Sequence, residues 1–193
     1  MRVSLYLKLL PLYIGLAALV ASPFYMTYKH NQQVLATART AQQQLQKAPQ
    51  TQQVVSGKPV RIVLPDVGID LPVVDGSYIS AEKGWSVSPV YANYAVNTYP
   101  VNNSNGTTLI YGHALVYVFG RTQNLKTGDT AFVYTDNGHI FQYQFKDSTT
   151  VDPTDTEIFS QLKTSQPVLK LMTCGGSWSQ NRRIMTFELV KVA

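Results

Sequence analysis

Apolar residues fall along this chain in two unlike patterns. Residues 9–28 form a run of 20 without a single charge, about the length at which a helix crosses a hydrocarbon core. From residue 59 onward the apolar positions come in short β-rich runs cut by Gly, Pro, Asn and Asp, which predicts strands. Residues 60–64 and 71–74 read as two strands, the second closed by turn residues Asp75 and Gly76. Residues 107–111 form a third, running into Gly112 and His113. A hairpin is clearest at 130–134 and 139–145, because Asp136-Asn137-Gly138 between them carries the Asn-Gly turn signal. Residues 168–173 and 184–190 complete the set, and helical signal is confined to 116–125 and 156–162. Seven or so short strands with irregular connections predict a mainly β domain over 59–193, a closed or nearly closed β-barrel with a sandwich as the alternative.

The uncharged run reads as a membrane anchor. Pro11 and Pro23 stand near its ends, where a helix tolerates them, and Tyr13, Tyr25 and Tyr28 suit the interfaces. A cleaved signal peptide is the rival, since 18–22 offers small residues, but the apolar run continues beyond that point. Flanking cations decide little, with Arg2 and Lys8 before the run and Lys29, Arg39 and Lys47 after it. A long following domain is translocated largely regardless of such charges, so residues 1–8 are expected in the cytoplasm and the bulk outside the cell membrane. Between anchor and barrel, residues 31–56 hold nine Gln and no aromatic. Such a segment is expected to bury no core. Helix formers continue through Lys47, and Pro49 and Gly57 break them, so 29–58 is expected to be a stalk and linker.

Charge narrows the function classes. Of the net +5, residues 1–58 supply six Lys or Arg and no acid, whereas 59–193 carry ten basic and eleven acidic residues. The folded part is therefore nearly neutral, which argues against nucleic acid as a partner.

The chain has one cysteine, Cys174, at the end of the strand over 168–173. A lone thiol makes no internal disulfide, and a useful nucleophile needs a base or a cation nearby. His30 flanks the anchor and His139 follows a turn, but His113 ends an apolar strand, where a side chain is presented at a rim. Arg182 and Arg183 open the final strand, so a short connection would set one beside Cys174. Strand alternation puts Leu169, Leu171 and Thr173 on the core face and turns Lys170, Met172 and Cys174 outward. On the last strand Met185, Phe187 and Leu189 read as core, which gives Arg182 the outer parity and Arg183 the inner one. A bulge at the strand start would exchange them. No cluster has metal-ligand spacing, and neither a metal nor another cofactor is expected.

A strand-end His, a strand-end Cys and a strand-start Arg in this order resemble the sortases, membrane-anchored cysteine transpeptidases. Residues 169–174 are similar to that family's Thr-Leu-x-Thr-Cys strand, and Tyr111-Gly112-His113 to its strand-end Gly-His. Leu125-Lys126-Thr127-Gly128-Asp129 resembles its Leu-x-x-Gly-Asp lead into the central hairpin, and residues 64–69 its opening strand-turn-strand. Lys170 departs from the pattern, standing where the family carries an apolar residue or a threonine. The resemblance implies a barrel of about seven to eight strands with short helices behind one transmembrane helix. It implies Cys174 as nucleophile, His113 as general acid and base, and Arg182, or alternatively Arg183, as the oxyanion and substrate donor. Thr173 and Met172 become substrate-binding candidates, although the inward parity of Thr173 speaks against its hydroxyl. The implied partners are secreted proteins bearing a C-terminal Leu-Pro-x-Thr-Gly-like sorting signal and an amine acceptor, a peptidoglycan precursor or a pilin lysine.

Two other classes fit the residues. A surface cysteine peptidase would release the acyl group to water. An anchored, non-catalytic barrel would bind through Trp85, Tyr91, Tyr94 and Tyr99, although tyrosines are ordinary packing residues in β structure.

Overall fold

The computed structural model describes residues 3–48, 53–80, 84–155, 162–176 and 180–193, with side chains from residue 22 onward except that of Ser80. Helix α1 (Val3–Lys47) is followed by strands β1 (Ser56–Gly57), β2 (Pro59–Leu64), β3 (Ile69–Gly76), β4 (Tyr78–Ser80), β5 (Gly84–Trp85), β6 (Ala92–Ala95) and β7 (Val101–Asn102). Then come β8 (Thr107–Gly112), β9 (Thr130–Thr135), β10 (Ile140–Val151), β11 (Val168–Gly175) and β12 (Asn181–Val192). Short 3-10 turns lie at Pro65–Val67 and Gly120–Asn124. Eight strands close into a barrel in the order β10-β12-β11-β8-β6-β3-β2-β9. Closure leaves no long unpaired edge. Two of its pairings are parallel, β3 with β6 and β8 with β11, and the others are antiparallel.

Alternation along each strand fills the interior. Ile62 and Leu64, Leu71 and Val73, Phe141, Tyr143 and Phe145, Leu169 and Leu171, and Met185 and Phe187 point into one cluster. The Phe145 and Phe187 rings meet at 5.2 Å. Two regions of the barrel's outer surface are covered as well. Leu109, Tyr111, Met172 and Ile184 form a second apolar cluster beneath Trp85 and Val151. β8 is consequently buried along its whole length, as expected of a strand with parallel pairing and both faces covered.

The helix covers the other region, and here the expectation of a coreless, solvated stalk is corrected. Val34, Ala38, Ala41 and Leu45 recur at one helical face and are buried against Val63, Phe132 and Ile140. Two alanines let the helix approach the sheet closely, which replaces the aromatic bulk that the segment lacks. Polar contacts fix it further, with His30 Nε2 3.0 Å from Gly68 O and Arg61 Nη2 3.4 Å from Thr37 Oγ1. Among the described residues no helix is long and apolar enough to cross a membrane. The side chains of 9–21, most of the uncharged run, lie outside the described residues.

Three local readings also differ. Asp75 and Gly76 belong to β3, paired with Tyr94 and Ala95 of β6, and do not form a turn. Helix around 116–125 is limited to the 3-10 turn at Gly120–Asn124, and the expected helix at 156–162 falls almost wholly outside the described residues. The aromatic face does not assemble either: Tyr94 is buried in the barrel core, its hydroxyl donating to Thr98 O at 3.0 Å, while Tyr91 is exposed.

Leu45 is 1% exposed at the barrel contact. Leu45→Ala should weaken the docking of α1 by about 2–4 kcal/mol. Hydrogen exchange checks this: amides of residues 34–47 should exchange faster while those of β11 and β12 stay protected.

Candidate active site

Register places the candidate residues. β11 lies between β12, antiparallel, and β8, parallel. Cys174 stands directly opposite Arg182, Thr173 opposite Arg183 and Met172 opposite Ile184. Residues directly opposite in a ladder share a face. Cys174 and Arg182 therefore lie on the outer face with Met172 and Ile184, and Arg183 lies on the other. On the β8 side Thr173 is level with Gly112, so His113 follows at the strand end beside Cys174.

Cys174, His113 and Arg182 line one cleft of about 520 Å³, together with Met172 and Thr173. Cys174 is a free, partly buried thiol, and His113 is partly buried. Arg183 lines a different cleft on the far side of Cys174 and donates to Ser148 Oγ at 3.3 Å. Arg182 donates to Asn181 O at 3.2 Å.

Backbone constraints hold the three strand ends together. Thr173 is 5% exposed, and its hydroxyl donates to Gly112 O at 2.8 Å. That bond ties the cysteine strand to the histidine strand, so the hydroxyl proton is spent within the protein. Gly112 is required by close approach, since a Cβ there would lie 2.9 Å from Val118 Cγ1. The chain then folds back on itself, with Phe119 N donating to His113 O at 3.0 Å.

One wall of the cleft carries no sequence motif. β4 and β5 form a small two-stranded sheet, and Tyr78, Trp85 and Val87 line the cleft. Trp85 packs on Tyr111 with ring centroids 4.5 Å apart and on Tyr78 at 5.5 Å. The Tyr111 hydroxyl donates to Ser86 O at 2.6 Å, and buried Asn93 bridges Ser88 N and Tyr111 O. The opposite wall comes from Pro153 and Thr154. There Asp152 accepts from the backbone N and hydroxyl of Thr154. Those two bonds hold its carboxyl below the usual range, and the charge of Arg182 adds to the effect. The sequence marks 75–106 as a long stretch that could wall or cover the site and Trp85 as a candidate binding aromatic, but it does not resolve strands here, because they are two or three residues long and show no alternation. The Gly84-Trp85 pair is the signal there, and Gly84 adopts a positive φ of 66°.

A strand-end thiol facing a guanidinium, with an imidazole on the neighbouring strand end, is an arrangement for nucleophilic attack on a carbonyl. Among the described residues no group of three His, Cys, Asp or Glu stands together to hold a metal.

The barrel fold is shared with known proteins. No curated protein matches the chain at a significant level. Solved structures with the same fold include sortase C1 from Streptococcus suis, at 20% identity over 70% of this chain and 74% of that one, TM-score 0.57. The SrtA sortase from Actinomyces oris gives 20% identity over 76% and 87%, TM-score 0.57. Sortase A of Listeria monocytogenes gives 21% over 69% and 88%, TM-score 0.54. The sortase domain model matches residues 62–190, from the first barrel strand, β2, to the last, β12. The chain belongs to the sortase family.

Proposed function

We propose that the protein is a cysteine transpeptidase that cleaves a C-terminal Leu-Pro-x-Thr-Gly-like sorting signal and passes the acyl group to an amine. The observation that carries the reading is the direct pairing of Cys174 with Arg182 on the cleft that His113 also lines. Cys174 thiolate attacks the carbonyl carbon of the residue before the scissile bond, and Arg182 donates hydrogen bonds to the oxyanion that forms. Collapse breaks the C–N bond, and the imidazolium of His113 gives its proton to the departing amine. A thioester and a neutral imidazole remain. An acceptor amine, from a peptidoglycan precursor or a pilin lysine, then attacks the thioester while His113 takes its proton. Expulsion of the Cys174 thiolate restores the starting ionic pair.

The outward parity of Arg182 favours it over Arg183, whose side chain reaches Ser148. Met172 and Trp85 offer apolar surface for the donor peptide. Residues 9–28 are read as a single-pass anchor, with residues 1–8 in the cytoplasm and the catalytic domain outside. The uncharged run and the unbroken backbone helix Val3–Lys47 support this.

Mass spectrometry of a sorting-signal peptide, with and without hydroxylamine, tests the reaction. Acyl hydroxamate should accumulate with the amine present. Free acid alone in both conditions would point to a peptidase. Cys174→Ala should lower turnover by ~10³-fold or more, and full retention would sink the mechanism. Arg182→Ala should cost ~10²-fold to ~10³-fold in kcat, whereas Arg183→Ala should stay within about threefold. The reverse order would move the oxyanion role to Arg183.

Trp85→Ala should act differently. It removes a wall of the cleft without touching the reacting groups, so KM for the peptide should rise by about tenfold. An unchanged KM would exclude the β5 wall from donor binding.

A further inference from the structure

The loop after His113 exposes three consecutive apolar side chains. Leu115, Val116 and Tyr117 are 41%, 63% and 58% exposed, while Val118 and Phe119 beside them are fully buried. Such an outward run is a liability in water and marks a contact surface. It is also held in shape. Val118 N and Gly120 N both donate to Leu115 O at 2.8 Å, and a Cβ at Gly120 would lie 2.8 Å from Ala114 O.

Position relative to α1 identifies what the loop faces. Val116 and Tyr117 line a cleft with Met26 and His30 of the helix, and Arg121 closes its far side. Met26 is two residues inside the end of the uncharged run, ~3 Å along a helix axis. Around it Phe24, Tyr25, Met26 and Tyr28 are all more than half exposed, and the Lys29 ammonium lies 5.0 Å from the Tyr25 ring centroid. Aromatics followed at once by a cation are the composition of a membrane interface. Arg121, which donates to Gly68 O, adds a second cation suited to anionic headgroups. Asp70, the acid of the same cleft, is neutralised by two 2.7 Å bonds from Arg61.

The barrel is not free to swing away from this level, because Val34, Ala38, Ala41 and Leu45 seat α1 on it. We infer that Leu115, Val116 and Tyr117 dip into the interface of the bilayer that the chain's own helix spans. His113 and the mouth of its cleft are thereby held at the height of the lipid headgroups. The inference rests on reading residues 9–28 as a membrane span.

The test uses the full chain carrying Cys174→Ala and Val116→Cys, labelled with an environment-sensitive fluorophore, in phosphatidylethanolamine and phosphatidylglycerol vesicles containing shallow spin-labelled lipid. Val190→Cys is the control, since Val190 is 56% exposed near Ala193, at the Leu45 end of the helix contact. The label at Val116 should shift to the blue, resist iodide, and be quenched by the lipid spin label about twofold or more above the control, as for a side chain buried ~5–10 Å into the boundary. Equal iodide access at both positions, in protein that resists alkaline carbonate extraction, overturns the loop contact and leaves the span intact. Extraction by carbonate overturns the span and the contact with it. Protection from iodide without lipid quenching assigns the surface to a second protein and also overturns the inference.

Discussion

Every feature of the candidate site depends on the register of β11 between two unlike neighbours. The antiparallel ladder with β12 puts Cys174 across from Arg182, and the parallel ladder with β8 puts Thr173 level with Gly112. A slip of one residue in either ladder would separate the groups, because side chains alternate with a period of two. With β12 shifted by one, Cys174 would face Arg183 or Asn181, and the guanidinium of Arg182 would leave the cleft. The register is held by burial on both faces, since Leu169 and Leu171 fill the barrel while Met172 packs outside it with Ile184. Thr173 adds a pin at the strand end through its bond to Gly112 O.

That double burial explains how a β-barrel presents a cleft on its outer wall. An uncovered barrel strand would place Met172 and Ile184 in water. Here the β4-β5 sheet, Trp85 and Val151 cover them, and the cover stops short of Cys174 and Arg182. The cleft is the place where the cladding ends. Its floor is thus the rigid barrel wall, while its sides come from short segments fastened to that wall by Tyr111 and Asn93. The candidate groups on strand ends gain precision from the barrel, and the sides can vary without disturbing them.

The parts of this arrangement that follow from alternation were legible in the sequence. The hairpin turn at Asn137-Gly138, the inward set on β11 and β12, and the outward parity of Cys174 and Arg182 all follow from a period of two and one turn rule. What escaped was whatever depended on tertiary cover. The stripe Val34, Ala38, Ala41 and Leu45 is narrow, half alanine and embedded in glutamine, so composition hid a docking face that only the facing Val63, Phe132 and Ile140 reveal. Asp75-Gly76 has the chemistry of a turn, yet pairing with Tyr94 and Ala95 overrides that local preference. Gly76 is kept by close approach, because a Cβ there would strike the Tyr111 hydroxyl. Local propensity predicts what a segment prefers alone, and these segments are decided by their neighbours.

Docking of α1 then links two properties that the sequence presents as separate. A flexible tether would leave the barrel's orientation undefined and make tether length the quantity that matters. A helix seated on the barrel by four side chains makes orientation a property of the fold. Its contacts reach the loop after His113 through Gly68, whose carbonyl accepts from Arg121 and lies 3.0 Å from His30 Nε2. One backbone carbonyl thus joins the helix, the turn after β2 and the segment that follows the candidate acid and base. The strand register sets the distances among Cys174, His113 and Arg182, and the helix contact sets where that constellation stands relative to the N-terminal segment.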